Sequence, residues 1–557
     1  MCAYNLSLVS LGKNVIIANT RCWLNTKNHA HKCTAASTAG AATHIHSNKS
    51  ADAASEWQQA RPFSELPREG VFKFLRQLLP GGRYYKLDSA QLLKAMQRDY
   101  GDIYIMPGMF GRPDALYTHN PADFERVFRN EGIWPIRPNS VTLRYHRNKL
   151  RADFYGDVEG ILATHGEQWS SFRTVVNPLL MQPKNIKIYL NKMAQVNHEF
   201  VERIRLIRDV KTLETPDDFK EYIQRWTLES VALVALDKQL GLLRDDSENF
   251  ADASKLFAAL TEWMYLTLDL EYTPSLWRIV ATPKFKRLMQ ALDDIQDITS
   301  KYTIEAIAKL EAEQQLGIEH EENEKSILEK LLRIDRKIAT VMAMDLLLGG
   351  VDTTTSLTVG ILLCLAKNPD KQEKLREEVK RILPEKNGDF ATDTLSKIPY
   401  LRACLKEALR MYPVTIGNSR VPQKDVVLSG YRVPKGTVIS MIYSTLLKSE
   451  EHYARPLEFL PERWLRPNNE TVEEPGCAAT EDTKQLKASS PFTFLPFGVG
   501  PRACLGRRIS DLEIELGIAR LVRNFQIEFH YATDNVFKNM LINMPNAPLK
   551  FKFIDIE

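Results

Sequence analysis

The first 51 residues of the chain contain no aspartate and no glutamate. The whole chain of 557 residues has 70 acidic residues, so a stretch of this length would hold about six at the average frequency. The same stretch carries cations at Lys13, Arg21, Lys27, Lys32 and Lys49. Without it, 69 cations face 70 anions, and the net charge of +4 therefore belongs to the N-terminal segment. A nearly neutral body argues against a globally basic, nucleic-acid-binding protein.

The N-terminal segment also lacks a hydrophobic run long enough to cross a membrane. Its one apolar stretch, Leu6–Ala18, is interrupted by glycine, lysine and asparagine, and a span needs ~20 apolar residues. The broken apolar core disfavours a secretory signal, whereas Ser, Thr, Ala and spaced cations without acids are typical of a mitochondrial transit peptide. We expect residues 1–51 to be a removable leader, 52–70 a proline-containing connecting segment, and 71–557 one large domain.

Closely spaced cysteine pairs are lacking as well. Three of the seven cysteines lie in the expected leader. The other four are widely separated and form no C-x-x-C pair: Cys364, Cys404, Cys477 and Cys504. This spacing argues against a zinc site and against a disulfide framework, and it is compatible with a reducing compartment.

The body of the chain has a mostly helical pattern with a smaller β part. Apolar residues at i, i+3, i+4 spacing predict helices over 189–235 and 282–334, and a nearly continuous apolar helix over Thr340–Lys367. Short β patterns occur at Ile103–Met106 and Ala115–Thr118, and again in the C-terminal third. No internal repeat is visible. The predicted fold class is mainly α with a minor β part, in one domain.

The strongest chemical signal is a single cysteine in a glycine-rich loop. The loop runs from Phe497 to Gly506 as Phe-Gly-Val-Gly-Pro-Arg-Ala-Cys-Leu-Gly, directly before a predicted helix. A thiolate at Cys504 gains from the positive end of the helix dipole. Glycines let the backbone approach a flat cofactor, and Arg502 supplies a cation for an acidic group. Haem iron bound by a cysteine thiolate has these requirements. The alternative is a buried structural cysteine in a turn.

Part of this loop also fits a looser nucleotide-binding pattern. Gly498–Ala503 matches G-x-G-x-x-G/A, the dinucleotide fingerprint. Pro496 and Pro501 disfavour the strand–turn–helix geometry that this fingerprint needs, and neither a βαβ unit nor a ribose-binding acid follows. We therefore reject a dinucleotide site.

A second signal lies inside the apolar helix. Gly349 and Gly350 weaken the helix by about 1 kcal/mol each, which allows local widening where water or a small ligand inserts. Asp352 and Thr353 then form an acid–alcohol pair suited to proton delivery. A transmembrane helix is disfavoured by the acidic residues within the span. A buried helix with satisfied polar groups remains the alternative.

The remaining motifs are weak when they are taken singly. Glu407 and Arg410, at i, i+3, form a common type of helix pair. Arg463 lies in a Pro-Glu-Arg-Trp sequence farther on, and Trp169 and Arg173 form a Trp-x-x-x-Arg pattern. In their fixed order, these motifs and the two signals above resemble the cytochrome P-450 family, from about Arg61 to the C-terminus.

The resemblance implies a fold and a set of site residues. The cytochrome P-450 fold binds haem b between a long central helix and the Cys-bearing loop, so Cys504 is the expected axial iron ligand and Asp352 and Thr353 the expected catalytic pair. Phe497, Arg502 and Gly506 belong to the cofactor-binding loop. The haem propionates are expected to bind Trp169, Arg173 and Arg420. The expected structural triad is Glu407, Arg410 and Arg463.

The resemblance extends to the source of electrons. The chain contains no flavin or NADPH module, and it resembles mitochondrial members of the family, with insect ones closest. These take electrons from NADPH through a reductase and an adrenodoxin-like ferredoxin. Two cations four residues apart precede Glu407, and two more follow the cysteine loop, so the expected docking patch for an acidic ferredoxin comprises Arg402, Lys406, Arg507 and Arg508.

The implied reaction inserts one oxygen atom from O2 into a lipophilic substrate, either a steroid or a foreign compound. The expected location is the matrix face of the inner mitochondrial membrane, with peripheral membrane contact through Leu266–Val280. Two alternatives stay open. One is an electron-independent haem-thiolate isomerase or dehydratase, and the other is a non-enzymatic haem-binding sensor.

Overall fold

The computed structural model describes residues 55–138, 140–244, 250–318, 320–391, 393–465, 486, 488–539 and 542–556. The chain divides into two units, Met1–Gln58 and Gln59–Glu557. The expected leader, 1–51, and the polar stretch 466–485 lie outside the described residues. The second unit carries the whole of the predicted site.

Helices make up most of the second unit. Those that precede the central helix are α1 Val71–Leu78, α2 Ser89–Tyr100, α3 Pro121–Arg129, α4 Val141–Tyr145, α5 Ala152–Tyr155, α6 Gly160–Ala163, α7 Gly166–Met181, α8 Pro183–Lys187, α9 Leu190–Ile207, α10 Phe219–Ala235, α11 Phe250–Tyr272, α12 Pro283–Gln315 and α13 Ile327–Ile334. The central helix and those after it are α14 Arg336–Lys367, α15 Pro369–Ile382, α16 Pro399–Met411 and α17 Arg507–Asn524.

The strands are short, and all but β1 and β2 lie in the C-terminal third of the chain. One sheet has the order β1-β2-β6-β3, from Ile103–Met106, Ala115–Thr118, Val438–Ile442 and Gly417–Arg420. Strand β2 pairs parallel with β6, whereas the other pairs are antiparallel. Three further antiparallel pairs join β4 Val426–Leu428 to β5 Tyr431–Val433, β7 Phe525–Glu528 to β10 Lys552–Asp555, and β8 Phe537–Asn539 to β9 Asn543–Pro545.

The central helix α14 is the axis of the core. Its first turn is capped by Asp335, whose side chain accepts a hydrogen bond from the N–H of Ile338 at 2.8 Å, and Pro369 prevents its continuation past Asn368. It is the one helix among the described residues that is long and apolar enough to cross a membrane, yet 78% of its most apolar window is buried inside the protein. The prediction of a core helix therefore agrees with its burial.

Helices α10 and α17 flank this axis and bring the cysteine loop close to it. Trp226 of α10 is buried and stacks on Phe200 with ring centroids 5.1 Å apart. A Cβ at Gly517 of α17 would lie 2.4 Å from the Trp226 ring, so only glycine permits this approach. Because α17 starts at Arg507, directly after the loop, this packing fixes the position of Cys504 in the fold.

Candidate haem site

The cysteine loop is a tight turn held by its own backbone. The N–H of Cys504 donates to the carbonyl of Phe497 at 2.8 Å, and the N–H of Ala503 donates to that of Gly500 at 3.0 Å. Gly498 and Gly500 have φ values of +69° and +76°, in the left-handed region that glycine adopts without strain. The turn therefore presents the thiol at a fixed place before α17.

The Cys504 side chain has accessible surface although protein atoms surround it. Surrounding protein atoms raise the pKa of the thiol, whereas the backbone N–H of Gly506 and the cation of Arg173 act in the opposite direction. The thiol therefore faces open space that surrounding protein atoms border. In contrast, Cys364 and Cys404 are buried without such an opening.

Arginines and an indole line the neighbourhood of this loop. The Arg502 guanidinium lies 3.9 Å from the centroid of the Trp169 ring, and it donates hydrogen bonds to the carbonyls of Pro135 and Thr164. Arg173 donates to the carbonyl of Ala503 at 3.0 Å. The structure thus places Trp169 and Arg173 beside the cysteine loop, which lies more than 300 residues later in the sequence.

The guanidinium groups around this loop act on one another electrostatically. Burial and, to a smaller extent, the cations of Arg137, Arg420 and Arg173 together lower the pKa of Arg502 to about 9, while the carboxylate of Glu131 acts in the opposite direction. Arg420 is buried and pairs with Glu131 at 2.5 Å. The buried Arg420 and the partly buried Arg173 and Arg502 lie together here, and such a cluster is suited to a ligand that carries acidic groups. The residues present therefore fit a haem, whose two propionates supply such groups.

The central helix offers a matching surface. Gly349 is exposed although Leu348 and Val351 beside it are buried, and a Cβ built there would meet no atom of another element within 4 Å. Thr353, one turn on, is partly exposed and donates its hydroxyl proton to the carbonyl of Gly349 at 2.7 Å. This face of α14 therefore borders an opening, with an alcohol at its edge.

The side chains of Asp352 and Thr353 form hydrogen bonds with different residues. Its carboxylate is buried and accepts a hydrogen bond from the side-chain amide of Gln224 on α10 at 2.6 Å. Burial raises the pKa of Asp352 to about 6, although the hydrogen bond from Gln224 and the charge of Lys220 act in the opposite direction. The acid and the alcohol are adjacent in sequence but occupy different faces of the helix.

Because the folded pKa of Asp352 is about 6 and its ordinary value is 3.8, ionisation of this group opposes folding. Protonated Asp352 therefore leaves the free energy of unfolding at its highest below pH 3.8, and that free energy decreases as the pH rises from 3.8 to about 6. Between pH 5 and pH 7, ionisation of Asp352 should lower the unfolding free energy of the wild type by about 1.4 kcal/mol. This decrease should be absent from Asp352→Asn, which keeps an acceptor for Gln224 but cannot ionise. Denaturant unfolding of both proteins at the two pH values measures this difference. A pH dependence that is the same in both would contradict it.

The expected triad is fully assembled. Arg410 and Arg463 both donate to the carboxylate of Glu407, at 2.8 and 2.9 Å, and all three side chains are buried. Glu407 also accepts hydrogen bonds from the indole N–H of Trp464 and the backbone N–H of Leu460. The network ties α16 to the 3-10 turn Pro461–Trp464, on the chain that leads to the cysteine loop.

The four expected docking cations also come together. Arg507, Arg508, Arg402 and Lys406 all lower the pKa of one carboxyl, that of Asp511, against the larger effect of its burial. The Arg402 guanidinium donates two hydrogen bonds to the Glu515 carboxylate, in a bidentate ion pair. The Lys406 and Arg508 side chains are exposed on this surface. We define these four cations as the basic patch.

Some residues of the site escaped prediction from sequence. Glu131 and Gln224 are the partners of Arg420 and Asp352, and nothing in the local pattern marks either one. His165 precedes the Trp169 motif, and its pKa is lowered to about 4 by burial and by the cations of Arg502, Arg144 and Arg137. A histidine two residues before a glutamate on a helix start carries no distinctive signal without the fold.

A cysteine in a tight loop, nearby arginines and a continuous core helix with an accessible glycine are the features of a protein that binds haem through a cysteine. The family model for cytochrome P450, written here P-450, matches residues 75–553. Cytochrome P-450 CYP12A2 of Musca domestica is 53% identical over 539 residues, covering 96% of this chain and 97% of that protein. The chain belongs to the cytochrome P-450 family and is a P-450 monooxygenase.

Further relatives agree with this result. The probable mitochondrial cytochrome P-450 12a5 of Drosophila melanogaster is 53% identical over 502 residues, with 90% of this chain and 92% of that protein covered. The probable mitochondrial cytochrome P-450 12d1 proximal of the same species is 44% identical over 500 residues, with 90% and 93% covered. The predicted family, fold class and enzyme class are confirmed. These relatives also support a mitochondrial location and a haem iron cofactor.

Proposed function

We propose that the chain is a mitochondrial haem-thiolate monooxygenase that uses ferredoxin-borne electrons to insert one atom of O2 into a lipophilic substrate. The observation that carries the proposal is the accessible Cys504 thiol, which protein atoms surround, beside an arginine-rich cluster. Cys504 would bind the iron of haem b. Trp169, Arg173, Arg420 and Arg502 would hold its propionates, and Phe497 and Gly506 would shape the loop around it.

When bound, the haem supplies the oxygen activation and the C–H or C=C oxidation. The chain's own part is positioning and proton supply. The Thr353 hydroxyl lies at the edge of the opening along α14, where its bond to the Gly349 carbonyl holds it in place. Asp352, with a pKa raised to about 6, is the nearest acid in the sequence and is held by Gln224. A side-chain rotation at Asp352 would let the pair transfer a proton towards the opening.

We expect Thr353→Val to lower the yield of product per NADPH consumed by about tenfold, with the excess electrons released as hydrogen peroxide, because the positioned proton donor is lost. Thr358→Val is the matched control. Thr358 makes the same kind of bond to the carbonyl four residues before it, at 2.9 Å, but is fully buried. The test measures product, NADPH and peroxide together. Equal yields from the two variants would show that Thr353 has no such role.

The basic patch is the proposed docking surface for an adrenodoxin-like ferredoxin that is reduced by its NADPH-dependent reductase. Its exposed members lie at the start of α17, next to the cysteine loop, and on α16. Charge complementarity acts mainly on the association rate, so the contact is expected to weaken as salt screens the charges. The acid–alcohol pair and this patch favour a monooxygenase over an electron-independent isomerase or a sensor, neither of which needs them.

Reconstituted turnover tests the proposed electron path. With a vertebrate ferredoxin, its reductase and NADPH, we expect Lys406→Glu and Arg508→Glu each to raise the ferredoxin KM by about fivefold with little change in kcat. Lys309→Glu on α12 makes the same change of charge at an exposed position that belongs to a different helix. A KM that rises equally in all three variants, or product formation without ferredoxin, would contradict the proposal.

The proposed location is the matrix face of the inner membrane, reached by cleavage of the leader. Within the segment expected to contact the membrane, Trp277 is buried and donates to the carbonyl of Leu270. Ile279 and Val280 remain exposed, at 72% and 61%. Membrane contact would therefore involve the exposed end of this segment. A steroid and a foreign compound both remain candidate substrates, and a product screen with each class distinguishes them.

A further inference from the structure

One segment of the second unit is joined to the neighbouring long helices by buried or partly buried carboxylate side chains. Residues 141–163 comprise three short helices and a π-helical turn, His146–Leu150. Three long helices each supply one carboxylate to this segment. Glu271 of α11 accepts from Thr142, Asp293 of α12 accepts from His146 and Arg151, and Asp345 of α14 accepts from Arg147.

The contact with α14 is the most deeply buried of the three. Arg147 and Asp345 have no exposed side-chain surface, and their nearest atoms lie 2.8 Å apart. The other Asp345 oxygen accepts the backbone N–H groups of Ile161 and Leu162, at 2.6 and 3.3 Å. The second Arg147 nitrogen donates to the carbonyl of Glu159 at 2.5 Å. One ion pair therefore ties both halves of the segment to the central helix.

Gly160 shows how closely the backbone follows this pair. Its φ is +82°, and a Cβ there would lie 2.4 Å from both the Arg147 nitrogen and the Asp345 oxygen. Only glycine permits the chain to wrap around the two charges in this way. The turn that enters α6 is thus shaped by the ion pair and not by helix propensity.

The pair is also close to the opening on α14. Asp345 precedes Gly349 by one helical turn, about 6 Å along the axis. Apolar side chains of the segment, Leu143 and Ala163, share a core cluster with Ala343, Leu347 and Val351 of α14. Because residues four apart lie on one face of a helix, Asp345 anchors the segment to α14 beside the exposed Gly349.

We propose that Arg147 and Asp345 are positioning residues that set the spacing between segment 141–163 and the central helix, and thereby determine the size of ligand that reaches the haem. The inference rests on the proposed function only in placing the haem beside Gly349. The pair touches neither haem nor substrate. It acts by fixing one wall of the pocket, because both terminal nitrogens of Arg147 and both oxygens of Asp345 are bonded in the buried pair, which restricts its geometry.

Two measurements on the holoenzyme test the proposal, and neither needs turnover. The first is hydrogen exchange, in which Asp345→Asn is expected to speed exchange in peptides that cover 156–163 by about tenfold and to leave α17 unchanged. The second is azole binding, followed by absorbance. The dissociation constant of imidazole should stay within about twofold of wild type, whereas that of the bulky 4-phenylimidazole should change by about fivefold or more.

Asp123→Asn is the matched control for general destabilisation. Asp123 is equally buried, lies on α3 outside the segment, and accepts from Thr118 and Ser429. It should lower the melting temperature without changing the ratio of the two azole constants. If Asp345→Asn does not fold, Arg147→Lys keeps the charge but cannot reach both acceptors, and it should shift the same ratio in the same direction.

The outcomes separate this inference from the proposed function. A lower melting temperature with an unchanged azole ratio and unchanged exchange in 156–163 would reduce the pair to a stabilising contact and overturn the inference alone. If the wild type binds neither azole at a haem iron, the proposed function itself fails. A shifted ratio in Asp345→Asn and Arg147→Lys, but not in Asp123→Asn, supports the positioning role.

Discussion

Glu407→Ala is expected to abolish stable folding of the haem-side core. The substitution leaves Arg410 and Arg463 buried without the carboxylate that both of them bind. Removing one member of a buried ion pair costs about 3–5 kcal/mol, which is a large part of the 5–15 kcal/mol that stabilises a typical domain. We expect little soluble holoprotein at growth temperature, and a strongly lowered denaturation midpoint for any that is recovered.

Glu125→Ala is the control for loss of an ion pair as such. Glu125 pairs with Arg129 on α3, and both side chains are exposed, so the pair contributes little in water. The denaturation midpoint of the Glu125→Ala protein should match that of the wild type. Glu407→Gln should fall between the two, since it removes the charge but retains an acceptor. A Glu407→Ala protein as stable as the control would show that the triad does not hold this part of the core together.

The second large effect is expected from Cys504→Ala. If Cys504 is the iron ligand, its removal eliminates substrate oxidation, because the thiolate promotes O–O cleavage. Product formation should fall to the background of a reaction without enzyme, and haem content should decrease. Turnover with the reconstituted electron-transfer proteins and the haem content of the purified protein are the two measurements.

Cys404→Ala is the matched control for loss of a thiol. Cys404 lies on α16, is fully buried, and has its pKa raised well above the ordinary value by that burial. Its removal should cost some packing energy while product formation per haem stays at the wild-type level. Equal loss of turnover in both variants would indicate that stability, and not ligation, explains the effect of Cys504→Ala.

The sequence predicted those parts of the structure that are encoded locally. The cysteine loop is contiguous, and its glycines report the left-handed turns at Gly498 and Gly500 directly. The central helix shows as one apolar run, and its bounds are Arg336–Lys367 instead of the expected Thr340–Lys367. Strands β1 and β2 were predicted with their observed bounds, because a Gly/Pro loop separates two short apolar runs.

The remainder depends on contacts between distant parts of the chain. Glu131 meets Arg420 across 289 residues, and Gln224 meets Asp352 across 128. Helix α11 had no clear prediction because it is apolar on several faces, with Leu266, Leu268 and Leu270 all buried. Adjacent residues can also separate in function, since Asp352 and Thr353 form one motif in sequence but bond to different partners. Such pairings follow from packing, which no local pattern records.

The absorption spectrum of the reduced carbon monoxide complex tests the central claim most directly. Thiolate ligation by Cys504 predicts a Soret band shifted to long wavelength in the wild-type protein and in Cys404→Ala. The shifted band should be absent from Cys504→Ala. An unshifted band in the wild type, or a shifted band that persists in Cys504→Ala, would contradict the assignment of Cys504 as the ligand of the haem iron.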